Sequence, residues 1–395
     1  MPISSKIARQ MEEASWIRKM FEEGVRLAGQ VGAGNIHDFT LGNPDLEPPP
    51  EFVESLRDLV VRPRAGMHRY MPNAGYPEVR EAVARWVREE SGVEVGGKHV
   101  ILAVGAGGGL NVVLKALLDP GDEVVVFAPY FPEYAFYIDN HGGVLRVVET
   151  DGQFRIDFDR LEAAIGPRTK AVFVNSPNNP TGVVYDAAVL ARLGGLLRDR
   201  SRKLGRAIYL VSDDPYKKIL FDGTQYSHVF RHYESSIAVY SHSKDLGLAG
   251  ERIGHVAVHP AANSAEALVA GMTFAIRVLG FVNAPGLMQL AIRDVLRACI
   301  DPSVYQRRRD VLHGALTELG FECVKPRGAF YLFPRSLEPD DRKFAKVCLG
   351  KNILIVPGVG FGRSGHFRIS LTSSDRAIEA SLPAWREVAR AYATV

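Results

Sequence analysis

Cysteine is scarce. Cys299, Cys323 and Cys348 are the only three in 395 residues. They are widely spaced and odd in number, so they build neither a disulfide framework nor a Cys-x-x-Cys metal site. A reducing compartment, the cytoplasm, is expected. Long apolar runs are missing too, and none approaches the about 20 residues that span a bilayer. Met1 to Gly24 is amphipathic and carries acids, without the uninterrupted apolar stretch of a secretory signal. Nor is there an excess of one charge: 48 Lys and Arg against 45 Asp and Glu leave a formal net charge of +3. That balance gives no footprint for nucleic acid or for a membrane. Internal repeats and low-complexity tracts are absent. What remains is ordinary for a globular chain, with 46% hydrophobic and 24% charged residues. At about 150 residues per domain the length suggests two or three structural units, enough to bury a large core. Composition thus excludes membrane, collagenous, disordered and disulfide-rich classes without choosing a function.

The pattern along the chain divides it. Residues 4–31 read as a helical lead-in, and Glu47-Pro48-Pro49-Pro50 as a rigid turn near a boundary. From about residue 98, apolar runs alternate with helical patterns. Val100–Val104, Glu123–Phe127, Val144–Val148, Lys170–Asn175, Ala207–Val211, Ile237–Tyr240 and Gly254–Val258 read as strands. Leu110–Leu118 and Asp186–Arg200 read as helices. Continuous apolar strands between helices predict an α/β fold with a mostly parallel central sheet covered on both faces. After about residue 285 the texture becomes α+β. A helix is expected over Tyr305–Leu319, a hairpin over Phe321–Val324 and Ala329–Phe333, short strands over Ile353–Val356 and Phe367–Leu371, and a closing helix over Asp375–Ala393. The expected division is an arm over 1–45 shared with the small domain, a large α/β domain over 46–285, and a small domain over 286–395. The cleft between the two lobes is the expected site.

Ligands of open α/β sheets sit beyond the carboxyl ends of the strands, and five such ends carry unusual residues. Gly105-Ala106-Gly107-Gly108-Gly109 lets backbone N–H groups approach a phosphate at a helix start, or serves as a tight turn. Leu110 stands where a dinucleotide fingerprint needs its third glycine, which removes a dehydrogenase reading, and no P-loop Lys-Ser/Thr follows. Ser176-Pro-Asn-Asn179-Pro-Thr-Gly182 is a plain turn or presents an amide to a ligand oxygen. The acids of Ser212-Asp213-Asp214-Pro215-Tyr216 are costly after a buried strand unless they are paired or cap a helix. Lys244, in Ser241-His242-Ser243-Lys244, is poorly placed for a solvated cation. A partly buried lysine has a lowered pKa and forms Schiff bases. Ser241, Ser243 and the following Arg252 could hold a phosphate, while His242 reads as structural. Arg368, inside the apolar Phe367-Arg-Ile-Ser370, needs an anion: a substrate carboxylate or an internal partner.

Together and in this order, these residues resemble the pyridoxal-phosphate enzymes of fold type I, specifically the class I/II aminotransferases of the aspartate aminotransferase family. The resemblance runs from Leu41-Gly42-Asn-Pro-Asp45 to Arg368. Its most specific piece is Ser241-His-Ser-Lys-Asp-Leu-Gly-Leu-Ala-Gly-Glu-Arg252-Ile-Gly254, supported by Arg69-Tyr70-Met-Pro-Asn-Ala-Gly75 and Asn179-Pro-Thr-Gly182.

The resemblance implies a ping-pong aminotransferase of amino acid metabolism, exchanging an amino group between an L-amino acid and a 2-oxo acid through pyridoxal 5′-phosphate. By it, Lys244 holds the cofactor as a Schiff base and moves the proton at Cα. Asp213 sits at the pyridine nitrogen, and Tyr216 and Asn179 at the phenolic oxygen. Phe131 stacks on the ring where many members use Trp. Gly105, Ala106, Gly107, Ser241, Ser243 and Arg252 bind the phosphate. Tyr70 reaches the neighbouring subunit's phosphate in a homodimer with shared sites. Arg368 clamps the α-carboxylate, with Gly42 and Asn179 beside it, and no metal is involved. Asp214-Pro215 departs from the Glu-aliphatic pair expected there, but the spacing of Asp213 to Tyr216 is kept. Dicarboxylate-specific members use a second cation. Arg277, ahead of Asn283-Ala-Pro285, lies near that place about one residue out of register, and is either that reader or a plain surface arginine. The alternative chemistry on the same residues is a β-lyase. A regulator with a DNA-binding module is not expected, because the lead-in before Leu41 is too short for a winged helix and lacks a basic reading helix.

Overall fold

The computed structural model describes residues 2–13, 20, 22–24, 26, 29, 32 and 35–393. The first strand, β1 (His37–Asp38), belongs to the small lobe. The next seven are β2 (Val100–Ala103), β3 (Glu123–Ala128), β4 (Val144–Glu149), β5 (Thr169–Asn175), β6 (Tyr209–Asp213), β7 (Ser236–Ser241) and β8 (Gly254–Val258). They form one sheet in the order β2-β8-β7-β6-β5-β3-β4. The run from β7 to β4 is parallel, and β8 is antiparallel to both β7 and β2. The parallel strands need both faces covered, and the apolar runs supply two separate cores. Val125, Val172 and Leu210 pack on one face against the helices Pro77–Ser91 and Ala187–Leu204. Val124, Ala171 and Val211 pack on the other against Gly105–Leu117 and Ala265–Val278.

The helices start and stop where local chemistry dictates. Asp186 accepts from the Val189 N–H at the start of Ala187–Leu204, and Gly205 ends it in the left-handed region at φ 65°. Pro50 and Pro77 occupy first-turn positions, where a missing N–H costs nothing. Pro50 therefore opens the helix Pro50–Val61 rather than closing the expected turn.

In the small lobe, β9 (Tyr331–Leu332), β11 (Val356–Pro357) and β12 (Phe367–Ser370) form an antiparallel sheet with β12 in the middle. The strand β10 (Ile353–Leu354) pairs in parallel with β1. The helices Pro302–Glu318, Asp341–Leu349 and Asp375–Arg390 cover this lobe. Phe39 from the arm joins Phe321, Phe344, Phe367 and Trp385 in its core.

The structure corrects three expectations here. Phe321–Val324 forms no strand; Tyr331 and Leu332 pair instead with Ser370 and Ile369, across the chain. Ile353–Val356 is split between two sheets, because β10 faces β1 while β11 faces β12. The glycine cluster is not a loop before a helix but the first turn of Gly105–Leu117 itself. The expected lead-in helix over 4–31 is helical over Ser5–Glu13 and at residues 20, 22–24, 26 and 29; residues 14–19, 21, 25, 27, 28, 30 and 31 lie outside the described residues. Among the described residues no helix is long and apolar enough to cross a membrane.

Trp385 has no exposed surface and stacks on Phe367 with centroids 5.9 Å apart. Trp385→Ala should destabilise the chain by about 3–5 kcal/mol through the cavity it leaves, read as a lowered midpoint in denaturant unfolding.

Candidate active site

The carboxyl ends of β5, β6 and β7 converge on a cleft of about 300 Å³ between the two lobes. Lys244 lies on the single turn His242–Asp245 directly after β7, capped by Ser241, whose Oγ accepts from the Ser243 N–H. Its Nζ donates to the Gly42 carbonyl at 2.8 Å. Desolvation lowers its pKa to about 8, and the positive charges of Arg368 and Arg252 act in the same direction. At neutral pH this amine is thus close to giving up its proton.

Asp213 closes β6 and is buried. Its Oδ2 accepts from the Tyr134 hydroxyl at 2.5 Å, while Oδ1 is buried with no hydrogen-bond partner among the described residues. Its backbone carbonyl accepts from Asn175 Nδ2 at 2.7 Å, and Asn175 Oδ1 in turn accepts from the Asn179 N–H at 2.7 Å. Burial raises the Asp213 pKa to about 7; the Tyr134 hydrogen bond opposes this and Asp214 adds to it. The neighbouring Asp214 is buried as well, accepting from Ser212 Oγ at 2.5 Å and the Tyr226 hydroxyl at 2.9 Å, and is pushed up to about 6.

Next to the first turn of Gly105–Leu117 sits Arg252, which donates to Ser243 Oγ at 3.1 Å; Ser243 Oγ is 2.7 Å from Ser241 Oγ. Gly105 has φ +70°, and a Cβ there would overlap the Arg252 guanidinium. The backbone therefore approaches this cation as only glycine allows. Phe131 and Tyr216 both line the cleft, and the Tyr216 hydroxyl is 2.9 Å from that of Tyr331.

Arg368, in the middle of β12, is only 2% exposed. It donates to Asn179 Oδ1 at 3.0 Å and to the Thr40 carbonyl at 2.5 Å, and its guanidinium lies over the Tyr331 ring at 4.5 Å. No carboxylate of the described residues pairs with it, so the internal salt bridge left open by the sequence does not form. Gly42, whose carbonyl accepts from Lys244, follows by two residues the Thr40 that Arg368 bonds, and a Cβ there would overlap the Tyr331 hydroxyl.

Gly42, Ala106, Gly107, Phe131, Asn179, Asp213, Tyr216, Ser241, Ser243, Lys244, Arg252 and Arg368 all line this one cleft. Gly105 lies just behind it. Tyr70 does not enter it; that side chain is 89% exposed. Arg277 is also exposed, over the Phe274 ring, and contributes nothing to the cleft of its own chain. His242 is buried against Trp86, Tyr240 and His255, as a structural residue would be.

The sequence reading missed Tyr134, Asn175, Glu133 and Tyr331. One of them carried a signal. Asn175 is the polar residue that closes the apolar run of β5.

Comparison with known proteins agrees with this geometry. The model of the aminotransferase class I and II family matches residues 35–382. The aspartate/prephenate aminotransferase of Thermus thermophilus is 35% identical over 362 residues, 88% of this chain and 90% of that one. This chain belongs to the class I and II aminotransferases.

Solved structures place this aminotransferase in the same fold, fold type I. An amino transferase from Eubacterium rectale superposes with a TM-score of 0.95 at 36% identity, over 99% of each chain. The Thermus thermophilus aspartate aminotransferase with maleate gives 0.84 at 32% identity, over 96% of this chain and 98% of that one. Transamination is therefore the chemistry of this enzyme, and the β-lyase alternative falls away.

The buried acids give a test of the site without any ligand. The folded pKa of Asp213, about 7, lies above the ordinary value of 3.8. The folded protein then binds a proton that the unfolded chain releases, so this contribution to stability is present below about pH 4 and lost as pH rises through about 7. In ligand-free protein Asp213→Asn should flatten the fall in stability across that window, measured as thermal midpoints at a series of pH values.

Proposed function

We propose that this aminotransferase uses pyridoxal 5′-phosphate to carry an amino group from an L-amino acid to a 2-oxo acid in two half-reactions. One observation carries the reading: a lysine amine with its pKa near neutrality and a buried carboxyl with one unpartnered oxygen line the same cleft.

The residues present suit the cofactor. The orphaned Asp213 Oδ1 wants a donor, and a protonated pyridine nitrogen is one. The Gly105 backbone, the first helical turn and Arg252 make a cationic cradle that a Cβ would fill, which suits a phosphate. When bound, the pyridine ring supplies a sink for the electron pair left on the substrate Cα.

The roles then follow from position. Lys244 Nζ would hold the cofactor covalently and, once released, take the proton from Cα and return it elsewhere. A pKa near 8 lets the same nitrogen do both. Asp213 would keep the ring nitrogen protonated, with Tyr134 donating to its other oxygen and holding it in place. Tyr216 and Asn179 would face the phenolic oxygen and Phe131 the ring. Ala106 and Gly107 would join Gly105, Ser241, Ser243 and Arg252 at the phosphate. Arg368 would take the α-carboxylate, with Asn179 orienting its guanidinium, and Gly42 would close over the substrate through its backbone.

Tyr70 fits this scheme only in a homodimer, where it would reach the phosphate of the other copy. Its exposure, in a chain that also leaves Phe274 and Phe281 exposed, supports that arrangement. The division into an arm over 1–45, a large domain over 46–285 and a small domain over 286–395 belongs to the same reading, although the helix Gly286–Ile292 packs on the large-lobe core. A cytoplasmic setting is consistent with the free cysteines.

Borohydride treatment of the protein loaded with pyridoxal phosphate, followed by peptide mass mapping, should label Lys244 and no other lysine. Lys244→Ala should lose the visible absorption of the bound cofactor and slow the half-reaction by about 10²–10⁴-fold. A Lys244→Ala protein as active as the wild type would remove the reading.

A further inference from the structure

Glu133 is the one charged side chain of the cleft that the scheme above leaves without work. It is the first residue of the helix Glu133–Asn140, two positions after Phe131 and one before Tyr134. It lines the cleft, and its Oε2 is buried with no hydrogen-bond partner among the described residues. Burial raises the carboxyl pKa, against its own helical backbone N–H and the field of Arg368. A buried carboxylate oxygen without a donor is an expensive feature to keep. A ligand that brings a donor would offset that cost.

The other charges of the cleft have opposite partners in the transamination scheme. Lys244 and Asp213 face the cofactor, Arg252 its phosphate, and Arg368 the α-carboxylate. What remains for the substrate side chain is the Glu133 carboxyl, with Tyr137 and Tyr331 within the reach of its field. Beyond Lys244, Arg252 and Arg368, no arginine or lysine of this chain lines the cleft among the described residues. Within one copy a distal carboxylate on the substrate would thus meet no free cation, and a distal ammonium or amide nitrogen would meet an acceptor.

We propose that Glu133 selects the amino donor by its side chain, favouring amino acids that end in a hydrogen-bond-donating nitrogen, cationic ω-amino acids first, over dicarboxylic ones. This rests on the transamination reading and deepens it. It also separates this chain from the relatives whose names carry aspartate.

The test is a half-reaction screen on the enzyme loaded with pyridoxal phosphate, following the loss of the cofactor's absorption with L-ornithine, L-alanine and L-aspartate. The wild type should show kcat/KM for ornithine at least about tenfold above that for aspartate. Glu133→Gln should lower the ornithine-to-alanine ratio by about tenfold or more, and Glu133→Lys should reverse the order of ornithine and aspartate. Far-ultraviolet circular dichroism and cofactor absorption check that each variant is folded and loaded. Preference for aspartate in the wild type, unchanged in Glu133→Gln, would overturn the proposal. An equal loss on all three substrates in Glu133→Gln would overturn it too, since that would mean Glu133 acts through Arg368 on the shared α-carboxylate. Neither result touches the transamination reading, whereas a wild type inert toward every amino acid would sink both.

Discussion

The interaction on which this site depends is the burial of an acid at the end of a parallel strand. Asp213 sits where β6 delivers it, under the cleft, with only one carboxyl oxygen satisfied. Leaving a group in that state costs free energy, and the surroundings are arranged to hold it there. Tyr134 fixes one oxygen. Asn175 ties the Asp213 carbonyl to the neighbouring strand and, through the Asn179 N–H, fixes the loop that presents Asn179 to Arg368. Charge at the base of the cleft and charge in the small lobe are thus connected through three hydrogen bonds and two strand ends. The parallel register of β5, β6 and β7 makes this possible, because it brings their carboxyl ends to one edge.

Much of this was legible in the sequence, and for a physical reason. Strands buried on both faces read as continuous apolar runs, and polar or charged residues at their ends stand out against them. Hence Asp213, Asn179, Lys244 and the cradle at Gly105 could be found without coordinates. Arg368 stood out as a cation inside an apolar strand. The small lobe was harder. Its strands are two to four residues long and pair across the chain, so neither period nor turn chemistry reveals them; Tyr331 finds Ser370, not the nearby Phe321–Val324. Tyr134 and Glu133 were hidden for another reason. A tyrosine and a glutamate at a helix start are ordinary, and only the tertiary fold shows that one bonds Asp213 and the other is buried without a partner.

The two lysines near the end of β7 show how position alone sets chemistry. Lys218 Nζ reaches the buried Asp245 carboxylate at 2.8 Å and two backbone carbonyls, those of Leu296 and Ala298. Every donor of that side chain has an acceptor, so it is held as a structural group. Burial alone would raise the Asp245 carboxyl pKa, but His242 and Lys218 hold it well below the usual carboxylate range, and Tyr240 donates to the same oxygen at 2.6 Å. Lys244, one residue away from Asp245 on the same turn, receives none of this. Its nitrogen has a single carbonyl acceptor and two arginines in its field. The short helix thus turns its acid down into a network that fixes it and its lysine up into a cleft that makes its charge unfavourable. An amine so placed is reactive because the fold withholds a counter-ion from it. The same withholding at Asp213 and Glu133 leaves acceptors unsatisfied, so a ligand that supplies donors at both positions and an anion to Arg368 completes the electrostatics of the folded chain.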